Sequence, residues 1–139
     1  MGFTINKSKQ LTELTEIEYT IIKCFINFCN QYLTIGDDVN YSVNLFSSKD
    51  DDKPTGITLA MFDMESLNTW VRCNGRFVYD ICRSIAHELV HLKQMVNNEI
   101  NMNDYTDIGG KIEDEANSIA GIICKEFTKK YNCRWIYDL

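Results

Sequence analysis

Between about Thr12 and Leu33 apolar residues recur at steps of three and four, with Leu14, Ile17, Ile21, Phe25, Phe28 and Tyr32 on one stripe. That period predicts an amphipathic helix, and Thr15 followed by Glu18 has the spacing of a capping box near its start. After Gly36-Asp37-Asp38 the period drops to two. Tyr41, Val43 and Leu45 alternate with Ser42 and Asn44, which is a strand pattern. Ile57 to Asp63 and Leu67 to Arg72 predict two further strands. The polar run from Ser47 to Gly56 between them reads as an exposed hairpin loop. Its aspartates, Asp50 to Asp52, lack the rest of an EF-hand calcium loop. The helical period returns from about Arg76 to Asn97, through Val78, Ile81, Ile85, Leu89, Leu92 and Val96. A polar stretch from Asn97 to Gly110 reads as a loop. A last helix is predicted from about Lys111 to Tyr131, with Ile112, Ala116, Ile119, Ile123 and Phe127 along one face. The closing CRWIYDL segment is apolar enough to dock on the body.

The predicted order is helix, small antiparallel sheet of about three strands, helix, helix. That is one α+β domain spanning residues 1–139. Its size and its 45% hydrophobic and 24% charged residues suit a compact globular chain and argue against disorder. A formal charge of −6 counts against a partner bound by phosphate neutralisation, so nucleic acid is not the expected ligand. No apolar run reaches the roughly 18 residues of a membrane span, and MGFTINKSKQ lacks the apolar core of an export signal. The expected setting is the cytoplasm, with no membrane partner. The six cysteines, Cys24, Cys29, Cys73, Cys82, Cys124 and Cys133, form no C-x-x-C pair and are expected to be free thiols.

One motif changes the picture. The second helical segment contains His87-Glu88-Leu89-Val90-His91, an H-E-x-x-H pattern that uses both histidines of the chain. Residues four apart on a helix lie one above the other, so the two imidazoles project from one face and can converge on one zinc ion. Glu88, about 100° round the helix from His87, is placed to act as a base on a zinc-bound water. A catalytic zinc usually takes three protein ligands, and with no third histidine the remaining one must be a carboxylate or thiolate. In the last helix, Ile112-Glu113-Asp114-Glu115-Ala116, the phase puts Glu115 on the stripe through Ile112 and Ile119. It therefore favours Glu115 as third ligand, with Glu113 next.

AHELVHLKQ (Ala86 to Gln94) followed by EDEANSIAG (Glu113 to Gly121) resembles the gluzincins, zinc metallopeptidases with a glutamate ligand on a later helix. The minimal ImmA/IrrE-like domains and metallopeptidase-like proteins of large phages look most alike, over about residues 57 to 127. The resemblance implies one zinc ion held by His87, His91 and Glu115, with Glu88 as general base of a metalloendopeptidase. It also implies a peptide or protein substrate lying along an edge strand at Ile57–Asp63. In one respect the chain departs from thermolysin-like members, which carry an aspartate four residues after the glutamate ligand: here that position is Ile119. The oxyanion stabiliser is open among Tyr79, Arg83, Tyr105 and Tyr131. Two other classes stand beside this reading: a catalytically silent zinc-binding phage structural or host-interaction protein, and a SprT-like DNA-associated protease.

Overall fold

The computed structural model describes residues 2–99 and 110–138, with residues 137 and 138 described by backbone alone. The chain runs β1 (Phe3–Lys7), α1 (Glu16–Tyr32), β2 (Tyr41–Phe46), β3 (Ala60–Asp63), β4 (Asn68–Arg72), α2 (Val78–Val96) and α3 (Lys111–Lys130). A short 3-10 helix follows at Arg134–Asp138. The α+β class expected from the pattern is the one observed. No helix among the described residues is long and apolar enough to cross a membrane.

The sheet differs from the expectation in two ways. It has four strands, in the order β1-β2-β4-β3, and it is mixed. β1 and β4 both run parallel to β2, and only β3 pairs antiparallel, with β4. Alternation of apolar and polar residues reports which face a side chain takes and is the same for either strand direction. Direction is imposed by the connections. α1 is a crossover that returns the chain parallel to β1, as parallel pairing requires. β1 itself escapes the pattern because its five residues bring only Phe3 and Ile5, both half-buried, to the core side.

The run after β2 is consequently no hairpin loop, because β2 and β3 are not neighbours in the sheet. It carries the chain to the far edge, and β3 and β4 then form the hairpin. Part of the run is buried: Asp50 is 7% exposed. Its carboxylate accepts from the Ser47 backbone N–H at 2.9 Å and from the Ser8 hydroxyl at 2.8 Å, tying the loop to the segment after β1. Asp51 and Asp52 are exposed. The aspartate run is thus one buried clamp beside two solvated charges.

α2 packs on β3 and β4, and α1 and α3 pack against α2. Tyr41, Val43 and Leu45 of β2 and Val71 of β4 meet Ile22, Phe25 and Ile26 of α1 and Ile81, Ile85 and Leu89 of α2 in one core. Thr15 caps α1 as its spacing predicts, its hydroxyl accepting from Glu18 N–H at 3.1 Å while the Glu18 carboxylate accepts from Thr15 N–H at 2.8 Å. α3 joins through Phe127, edge-on to Phe25 at 5.0 Å between ring centroids. The C-terminal segment docks as expected, burying Cys133 and Ile136. All six cysteines are free, and only Cys24 is exposed. Burial raises the Cys73 thiol to about 12 and the Cys124 thiol to about 11, so both stay protonated apolar groups.

Replacing Asp50 by Ala should cost about 1–3 kcal/mol in a denaturant titration, because it orphans a buried N–H. Asp51→Ala should stay within about 0.5 kcal/mol of the parent. Equal effects would contradict the clamp.

Candidate metal centre

α2 is the central helix of the fold, packed on α1, α3 and the sheet. Its apolar stripe orients it so that His87, Glu88 and His91 face α3 and the β3 end of the sheet. The two imidazoles stand as their spacing predicts: the Nε2 atoms are 3.2 Å apart, with ring planes at 86°. The His91 side chain is 2% exposed and that of His87 19%.

The carboxylate that meets them is Glu113. Its Oε1 is 2.6 Å from His91 Nε2 and its Oε2 is 3.2 Å from His87 Nε2. Among the described residues, His87, His91 and Glu113 form the group of candidate ligand atoms that could share one metal ion. Glu115, favoured by helix phase, is not brought there. It is exposed, and its Oε1 accepts from Gln94 Nε2 at 2.8 Å. The phase estimate erred because it weighted bulk. Ile112 and Ile119 are only half-buried, while the face of α3 that packs inward runs through Ala116, Ala120, Ile123, Cys124 and Phe127. Two of those positions are alanines, which let α3 approach α2 closely but add little to a hydrophobic stripe. Counted back from Ala116 and Ala120, Glu113 is on the inward row and Glu115 is not.

Gln94 is the residue that sequence reasoning missed, and it sets the chemistry of His91. Its side-chain amide donates to the Ile112 carbonyl at 3.2 Å and to Glu115 at 2.8 Å. Both donors face acceptors, so the amide oxygen, 2.8 Å from His91 Nδ1, accepts a hydrogen bond from an N–H on that nitrogen. A neutral His91 therefore carries its lone pair on Nε2, aimed at Glu113. Its position three residues after His91 on the same helix face was the available signal. Asn117 was missed too: it lines the same cleft as His87.

Three electron-pair donors thus point at one small volume. A carboxylate oxygen 2.6 Å from an imidazole lone pair is repulsive unless a cation lies between them. A proton meets that need, and so does a metal ion. Ligand atoms about 2.0–2.1 Å from a tetrahedral zinc are roughly 3.3 Å apart. The separations of 3.2 Å between the Nε2 atoms and between His87 and Glu113 suit that geometry. The His91–Glu113 separation of 2.6 Å is shorter than two ligands of one zinc ion would show. Burial and the neighbouring His91 pull the His87 imidazole below its ordinary value, against the opposing pull of Glu113 and Asn117. Its neutral, ligand-competent form is favoured. The donor set fits a divalent metal with nitrogen and oxygen preference.

Glu88 is 8% exposed and, with His87, lines a cleft of about 510 Å³. Ala60 of β3 and the preceding Leu59 form one wall, and α3 another through Asn117 and Ala120. Of the four candidates for a stabilising group, Arg83 lines this cleft. Tyr79 is not among its lining residues, and Tyr131 packs on Phe28 and Phe127 at the other end of α3. Tyr105 lies outside the described residues, as does most of the Asn97–Gly110 loop. Compared with known proteins, the chain matches no family model, no curated protein and no solved structure.

Titration of metal-free protein with zinc against a chromophoric chelator should give one tight site per chain, lost in His91→Ala and Glu113→Gln. Glu115→Gln should keep it. Gln94→Leu should weaken it by about 10–100-fold, the usual effect of losing a group that orients a ligand. Equal damage from Glu113→Gln and Glu115→Gln would overturn the assignment.

Proposed function

We propose that this chain is a zinc-dependent metallopeptidase of gluzincin type, in which His87, His91 and Glu113 hold the metal and Glu88 is the general base. One observation carries the reading: the H-E-x-x-H imidazoles and a carboxylate from a later helix converge on one point, with Glu88 beside it in an open cleft. The register supports it as well. Counted from Glu113, the position four residues on is Asn117, which lines the cleft beside His87. With that register the missing aspartate at Ile119 ceases to be an anomaly, because a polar group does occupy the supporting position.

A bound zinc ion supplies a water acidified toward neutral pH and a Lewis acid for the scissile carbonyl. The protein does the rest. Glu88 takes the proton from the attacking water and delivers it to the departing amide nitrogen, so its carboxylate is restored at the end of the cycle. Gln94 holds His91 in the tautomer that leaves Nε2 free, and Glu115 holds Gln94. Arg83 stands on the cleft wall where a developing oxyanion or a substrate group can meet it. β3 is an edge strand, so an extended peptide can pair along its outer side as an added strand and lie across the cleft. The strand is shorter than the segment Ile57–Asp63 implied, covering Ala60–Asp63.

A second reading rests on the same contacts: Glu113 links α3 to both histidines of α2, so a metal there would also staple two helices, with no turnover required. Glu88→Gln separates the two. It should retain stoichiometric zinc while hydrolysis of unstructured protein falls by about 10²–10⁴-fold, measured as new amino termini. Unchanged hydrolysis in that variant would sink the peptidase mechanism. Absence of hydrolysis in the parent, with zinc raising its melting temperature, would favour the staple.

A further inference from the structure

Beyond Glu88, the cleft is lined along α2 by polar residues that take no part in the proton transfers. Arg83 lies one helical turn before His87, and Ser84 one turn before Glu88, a displacement of about 5.4 Å. Arg76 is at the far end of the same wall. The two guanidiniums are held differently. Arg76 is committed: it donates to the Arg72 carbonyl at 3.1 Å, the Asp80 carbonyl at 3.1 Å and the Ser84 hydroxyl at 2.7 Å. Arg83 makes one long hydrogen bond, to the Asn117 carbonyl at 3.4 Å. Its guanidinium lies against Gly121, where an added Cβ would come within 3.1 Å of Nη1. Glycine there makes the room that the guanidinium occupies.

Among the described residues neither guanidinium is in an ion pair with a carboxylate; the ion pairs found are those of Glu113 with the histidines. Two arginines thus share a cleft with Asp80 and Glu88, in a chain of net charge −6, and a divalent ion at the histidines would tip that cleft positive. Leu59, Ala60 and Ala120 add an apolar floor. A planar fork of N–H donors with no carboxylate of its own, next to methyl groups, matches an acidic side chain: carboxylate to the fork, methylenes to the floor.

Resting on the peptidase reading, we infer that this cleft selects substrates with a glutamate or aspartate beside the scissile bond, and that Arg83 is the residue that reads it. A residue of extended peptide advances about 3.3 Å, so the side chain next to a carbonyl held between the metal and Glu88 reaches one turn along α2. Arg76, fixed by its three hydrogen bonds, adds field without moving.

The test is a binding measurement on zinc-loaded Glu88→Gln protein, which needs no turnover. Fluorescent host octapeptides would carry Glu, Gln or Lys at each position in turn, and anisotropy would report affinity. Glu should bind on the order of tenfold tighter than Gln at one position, the usual gain of a charge-assisted hydrogen bond. The advantage should vanish in Arg83→Gln, fall part-way in Arg83→Lys and Gly121→Ala, and turn toward Lys in Arg83→Glu. Circular dichroism and zinc content of each variant check that the fold and metal site persist; a variant that fails them is replaced by the next. Equal binding of Glu and Gln peptides, or a Glu advantage that survives loss of the Arg83 guanidinium, overturns the inference. Cleavage without acidic preference would defeat it and spare the peptidase reading. Acidic preference without cleavage by the parent protein would do the reverse.

Discussion

Two imidazole nitrogens and a carboxylate aimed at one point repel one another unless a cation sits among them, and much of this small fold is arranged around that convergence. His87 and His91 are neighbours by helix geometry alone. Glu113 comes from a different helix, and it reaches them because α3 packs against α2 through alanines that let the two backbones approach. His91 is almost wholly buried, so its proton cannot be left to solvent. The Nδ1 N–H donates to the Gln94 amide oxygen, and Gln94 is in turn held by Glu115 and the Ile112 carbonyl. Each link in that chain has its donor facing an acceptor. The electron pair that remains, on Nε2, is the one a metal would use.

The rest of the architecture serves α2. The sheet and α1 bury its apolar stripe and leave the opposite stripe, from Arg76 to Glu88, on the wall of a cleft. β3 borders that wall and is the outermost strand among the described residues, so the cleft and that strand edge are adjacent. The crossover from β2 to β3, clamped by buried Asp50, is what takes the chain to that edge before it turns back into β4. A loop that reads as a solvated connection thereby decides which strand borders the site.

Much of this was legible in the residues. Three helical periods correspond to three helices, within a few residues at each end, and Thr15 with Glu18 caps the first. The H-E-x-x-H spacing implied paired imidazoles and a neighbouring glutamate, and that pairing is found. The third group was not legible in the same way. A hydrophobic stripe is drawn by bulky residues, whereas the close face of α3 is drawn by Ala116 and Ala120, and the resulting error of two residues separates Glu115 from Glu113. Gln94 was not legible, because a side-chain hydrogen bond across helices leaves no periodic trace.

By itself, then, the sequence determined what depends on local geometry: helix content, the cap and the spacing of the two histidines. Tertiary structure decided strand direction, the parallel place of β1, the burial of Asp50 and which carboxylate meets the imidazoles. The division has one physical cause. Local patterns record which side of an element is apolar, but they do not record how closely, or in what rotation, two elements approach. Those quantities follow from packing the whole chain, and a candidate metal site built across two helices is defined by them.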